Sequence, residues 1–160
     1  MDVIKVGMAD LAVCKAPQRL MTTGLGSCVG ICLYDPITRV GGLAHIMLPD
    51  STQARNNQNK AKYADTAIIE TLENMITLSA EKNRIVAKIA GGAQMFNFIG
   101  TSSIMRIGER NVEAVKKHLK MHKIPILAED TGGNFGRTIN FNPDNGELHI
   151  KTINQGEKIV

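Results

Sequence analysis

The chain has 160 residues, 43% hydrophobic and 21% charged, with a net charge of +4. This is enough for one domain with a proper core, and it excludes a disordered or low-complexity chain. The positive charge is modest and dispersed, tryptophan is absent and aromatics make up 4%, so a nucleic-acid surface with a basic stripe and stacking platforms is not expected.

The first residues, MDVIKVG, lack the charged segment and long apolar stretch of a secretory leader. No apolar run approaches the ~20 residues of a membrane helix, and three cysteines without framework spacing suit a reducing compartment. A cytoplasmic protein with no membrane insertion is expected. Residues 3–8 and 11–15 read as short strands. Residues 28–34 are apolar on both faces, as in a buried strand. Asp35-Pro36 makes a turn, and residues 40–47 return beside the first run as a hairpin. Residues 50–59 form a polar loop that either borders a site or simply connects.

A long helix is expected over 60–82, with Ala64, Ala67, Ile68, Thr71, Leu72, Met75 and Ile76 on its buried face. Residues 84–90 form a strand ending at Gly91-Gly92, where cleft lining and close packing are both open readings. A second helix, 111–122, buries Val112, Val115 and Leu119. Residues 126–129, 137–142 and 147–153 complete the strands, with turns at 134–136 and 144–146. One domain over 1–153 is followed by a poorly ordered tail, 154–160. Strands outnumber helices, which favours an α+β fold over a doubly wound sheet. No coiled-coil or swapped element is evident, and a monomer is expected.

The densest chemical signal is Thr22-Thr23-Gly24-Leu25-Gly26-Ser27-Cys28-Val29-Gly30, with His45 on the returning strand. A thiolate is the reactive form of cysteine, and a nearby histidine can take the thiol proton. Gly24 and Gly26 permit a tight turn with close backbone approach. The N–H groups of Gly26, Ser27 and Cys28 are candidates to hold an oxyanion. Spacing alone leaves a second reading open, a strand-entry turn with a buried and inert cysteine.

Competing motifs are incomplete. Val29 stands where a dinucleotide fingerprint needs glycine, and Leu25 where a serine-hydrolase elbow needs one. Ser27 is therefore read as shaping the turn or contacting substrate. His118 and His122 have i, i+4 spacing but lack the intervening glutamate, and lysines crowd them, so no metal site is expected. Cys32 shares a strand face with Cys28 and is read as core or as a resolving thiol; Cys14 is read as core.

Residues 22–34 (TTGLGSCVGICLY), 42–49 (GLAHIMLP), 91–96 (GGAQMF), 107–112 (IGERNV) and 130–139 (DTGGNFGRTI) together resemble the CheD family of chemoreceptor glutamine deamidases. The resemblance implies a layered αββα arrangement of mixed strands with two main helices, shared with some other cysteine deamidases. It also implies that Cys28 is the nucleophile, His45 the base and Thr22 the third member that orients His45. The reaction so implied hydrolyses receptor glutamines to glutamate through a thioester, releasing ammonia without a metal or organic cofactor. The implied partners are methyl-accepting chemotaxis receptors and the CheC phosphatase. The rival readings are a non-catalytic regulator that binds receptor and CheC through the same cleft, and a cysteine transferase.

Overall fold

The computed structural model describes residues 2–56, 58–95 and 106–160. Ten strands and two helices are described: β1 (Val3–Lys5), β2 (Asp10–Lys15), β3 (Arg19–Leu25), β4 (Val29–Asp35), β5 (Val40–Ile46), α1 (Ala64–Thr77), β6 (Val86–Gly91), α2 (Ile107–Met121), β7 (Ile126–Thr131), β8 (Arg137–Asn142), β9 (Glu147–Lys151) and β10 (Glu157–Ile159). They build two mixed five-stranded sheets, ordered β1-β3-β8-β9-β10 and β2-β5-β4-β6-β7. The α+β expectation holds.

The layers follow from alternation along buried strands. In β4, Val29, Ile31 and Leu33 join a core with Ile68, Leu72, Met75, Val115 and Leu119 of the helices. Cys28 and, in β4, Cys32 and Tyr34 point the other way, into a core with Leu20, Leu25, Ile139 and Phe141 of the opposite sheet. Each of the large apolar side chains is worth roughly 1.5–3 kcal/mol of burial. Helix α1 packs on β2, β4 and β5 and against α2, while α2 packs on β4. Both helices therefore cover one sheet. The described residues give the order helices, sheet, sheet, and a second helical layer as in the αββα expectation is not among them.

Several elements differ from the sequence reading, and β1 stops at Lys5 rather than at residue 8. Strand β3 was not anticipated, because Gly24 and the threonines read as part of the glycine turn. Its pairing with β8 shifts between Thr22 and Leu25, a bulge at the end nearest Cys28. Helix α1 is shorter than 60–82, since a separate 3-10 turn (Lys60–Lys62) precedes it and Tyr63 is extended. Helix α2 begins earlier, at Ile107. The tail expected to be poorly ordered instead supplies β10, paired antiparallel with β9. Lys88 Nζ fixes that end by donating to the Val160 carbonyl at 2.8 Å and to the Gly146 carbonyl at 2.7 Å.

The β4–β5 hairpin is closed by Asp35, whose side chain is fully buried. Its carboxylate accepts from Arg84 Nε at 3.0 Å and Nη2 at 2.9 Å, and from the Glu81 and Ile37 N–H groups at 2.9 Å each. Burial works to raise the Asp35 pKa, but the Arg84 guanidinium and the backbone donors outweigh it and hold the carboxyl far below the usual range. Removing the carboxylate leaves these donors without their acceptor. Asp35→Ala is therefore expected to cost about 3–5 kcal/mol of unfolding free energy, read as a shifted urea midpoint. An unshifted midpoint would show that the pair contributes little.

Candidate active site

The hairpin register puts the predicted thiol and imidazole on one face of neighbouring strands. Gly30 pairs with His45 and Val29 with Ile46. Cys28, one residue before β4, is thus a diagonal neighbour of His45 on the face between the sheets. Thr22 reaches the same place from the other sheet, where it pairs with Ile139. All three are buried: Thr22 is 2% exposed, Cys28 6% and His45 0%.

Thr22 determines the tautomer of His45. Its Oγ1 lies 2.6 Å from the Val6 carbonyl oxygen and 2.7 Å from His45 Nδ1. The hydroxyl has one proton. Two bare oxygens at 2.6 Å would repel, so the hydroxyl proton goes to Val6 and Nδ1–H donates to Thr22. Nε2 then carries the lone pair. It is buried and without a hydrogen-bond partner among the described residues. An orphaned buried nitrogen is costly in a purely structural histidine, and it is what a general base needs before substrate arrives.

The resting charges follow from burial. Desolvation lowers the His45 pKa and raises that of the Cys28 thiol, against a smaller lowering effect of the Cys28 backbone N–H. Both directions favour a neutral thiol and a neutral imidazole over thiolate and imidazolium. Cys32 does share the Cys28 face but is wholly buried, and burial raises its pKa strongly. Cys14 is buried and pushed up to about 11. Neither is a reactive thiol.

The turn before Cys28 is held by its carbonyls. The Gly26 carbonyl accepts from Ala93 N–H at 2.8 Å and the Cys28 carbonyl from Gly92 N–H at 2.8 Å. The Ser27 carbonyl accepts from Asn111 Nδ2 at 2.9 Å. Gly26 N–H is engaged with the Gly24 carbonyl at 3.0 Å, while neither Ser27 N–H nor Cys28 N–H donates to a described backbone carbonyl. Of the three donors expected from the sequence, Gly26 is thus already committed.

The role of the Gly91-Gly92 pair is close packing on this turn. A Cβ at Gly91, where φ is +115°, would sit 2.2 Å from the Cys28 carbonyl oxygen. Arg137, stacked 4.5 Å over the Phe135 ring, donates to the Gly132 carbonyl at 2.9 Å and fixes the neighbouring strand end. Phe96, the last residue of the 91–96 block, lies outside the described residues. Beside the turn an open recess of about 600 Å³ is lined by Gly24, Met95, Phe135, Arg137, Thr138 and Ile153, among others.

His118 and His122 have no companion ligands: no group of three or more metal-ligating side chains occurs among the described residues. No helix among them is long and apolar enough to cross a membrane. The sequence reading gave Asn111 no role. Its signal was there, a polar residue on the stripe it shares with buried Val115 and Leu119.

A family model described as CheD chemotactic sensory transduction matches residues 47–152. The chain belongs to the CheD family. Among its relatives is the "Probable chemoreceptor glutamine deamidase CheD" of Syntrophomonas wolfei, 55% identical over 99% of this chain and 98% of that protein. The "Chemoreceptor glutamine deamidase CheD" of Halalkalibacterium halodurans is 56% identical over 99% of each chain. That of Bacillus subtilis is 50% identical over 99% of this chain and 96% of its own. The CheD family match begins after Thr22, Cys28 and His45, whereas these full-length similarities run across them.

Proposed function

We propose that this chain deamidates glutamines of methyl-accepting chemotaxis receptors, with Cys28 as nucleophile, His45 as general base and acid, and Thr22 as the residue that orients His45. The observation that carries the mechanism is the unpartnered Nε2 of His45, with Nδ1–H committed to a threonine whose own proton is given to Val6. The printed names of the full-length relatives support the substrate class.

The Cys28 thiol proton passes to His45 Nε2 as sulfur bonds to the glutamine amide carbon. The carbonyl oxygen becomes an oxyanion, held by the Ser27 and Cys28 N–H groups, a stabilisation worth ~10²–10³ in rate per donor. Protonated His45 gives its proton to the amide nitrogen, which leaves as ammonia. The thioester on Cys28 is then attacked by water, whose proton goes to His45. Collapse releases glutamate and restores the thiol. The scheme uses no metal or organic cofactor.

The setting is the cytoplasm, where the receptor helical bundle lies. The CheC phosphatase is the second partner, and the chain acts as a monomer. The test is peptide mass spectrometry of a receptor cytoplasmic fragment after incubation with the protein. Gln-to-Glu conversion at discrete sites is expected. Binding without conversion across several receptors would overturn the enzyme in favour of a regulator. Incorporation of an added primary amine would favour a transferase.

A further inference from the structure

The β4–β5 ladder stops at Val29 and Ile46. Beyond it the strands part, and Met47 N–H turns away to the Lys62 carbonyl at 2.8 Å. Asn111, from α2, fills the fork. It is fully buried, and its Nδ2 donates to both the Ser27 carbonyl and the Met47 carbonyl, each at 2.9 Å. The amide orientation is forced, since the reverse would set Oδ1 against two carbonyl oxygens. Oδ1 itself has no partner among the described residues, so the donor side is what this buried amide uses.

The Ser27 carbonyl and the Cys28 N–H belong to one trans peptide plane and point in opposite directions. Whatever holds the carbonyl therefore aims the N–H. We propose that Asn111 is a positioning residue for catalysis: by gripping the Ser27 carbonyl it turns the Cys28 N–H toward the oxyanion, and by gripping Met47 it ties that plane to the strand carrying His45. The Gly92 and Ala93 N–H groups hold the flanking carbonyls of Cys28 and Gly26, so among the described residues the Ser27–Cys28 peptide is the plane of this turn held by a side chain. The assignment rests on the reading of Cys28 N–H as an oxyanion donor.

The test compares two reactions at Cys28, using Asn111→Ala and Asn111→Ser, with Cys28→Ala as the background. Acylation by p-nitrophenyl acetate forms an oxyanion; alkylation by iodoacetamide does not. Rates are taken per titratable folded site, so partial unfolding does not distort them. Acylation is expected to fall about ten- to a hundredfold while alkylation stays within about twofold. On receptor, kcat is expected to fall with KM unchanged. A parallel fall in both chemistries would mean a merely structural role, and no fall in acylation would mean no role; either overturns the proposal. Wild-type protein that leaves receptor glutamines untouched would sink the deamidase reading, yet the acylation-to-alkylation ratio would still decide for or against Asn111.

Discussion

Cys28→Ala is expected to abolish receptor deamidation, on the order of 10⁴-fold or more, while leaving receptor binding intact. The size follows from the lack of a substitute. Cys14 and Cys32 are buried in the core between the sheets, and burial raises both pKa values. The Ser27 hydroxyl is intrinsically far harder to ionise than a thiol. Loss of one sulfur from a 6%-exposed side chain barely alters the surface, so calorimetric affinity for the receptor fragment should persist. Residual conversion within tenfold of wild type would show that another group attacks. Unchanged signalling in cells, with turnover gone, would instead assign the biological weight to binding.

The hairpin was legible because its logic is local. An apolar run, an Asp-Pro turn and a second apolar run leave few alternatives to antiparallel pairing, but they do not fix its register; the pairing of Gly30 with His45 is seen only in the structure. What sequence periodicity did not reveal was β3. Its inward residues are Leu20, Thr22 and Leu25, and the bulge that re-phases them interrupts the alternation at Gly24. Partition of the helices was equally hidden. An amphipathic stripe shows that a helix packs on something, not which of two sheets it covers. Strand β10 escaped because its residues are all exposed, held through backbone pairing with β9 rather than an apolar signature.

The site divides in the same way. Cys28 and His45 carry chemistry in their side chains, so type and spacing marked them as candidates. Thr22 entered only through family resemblance, since a threonine beside a glycine turn has many ordinary explanations. The role proposed for it depends on a carbonyl, that of Val6, sixteen residues away. Nothing in composition predicts that this carbonyl takes the hydroxyl proton and so fixes the imidazole. The oxyanion donors were read as Gly26, Ser27 and Cys28 because consecutive amides in a glycine turn tend to converge. The turn spends one of them on Gly24.

His45→Asn is the second large effect, a fall in kcat of roughly 10²–10⁴ with little change in KM. Asparagine keeps a polar group near Thr22 but has no lone pair with basicity to match. The pH dependence separates a general base from a preformed ion pair. The active form is neutral imidazole, and burial lowers its pKa below the ordinary 6.5, so wild-type kcat/KM should rise with pH, reach half its plateau below 6.5 and be flat at neutrality. The thiol, pushed up by burial, stays protonated over that range. Iodoacetamide, which needs thiolate, should accordingly react only in the alkaline limb, with the same midpoint in wild type and His45→Asn, because a neutral imidazole contributes no charge. An acidic alkylation midpoint that disappears in His45→Asn would establish the ion pair and overturn the neutral resting state. The same shift sets a stability trend. Below the unfolded pKa the unfolded chain binds a proton that folded His45 refuses, so stability falls as pH drops through the folded value. His45→Asn lacks that linkage. Its urea midpoint should decline less than that of wild type between about pH 7 and about pH 5.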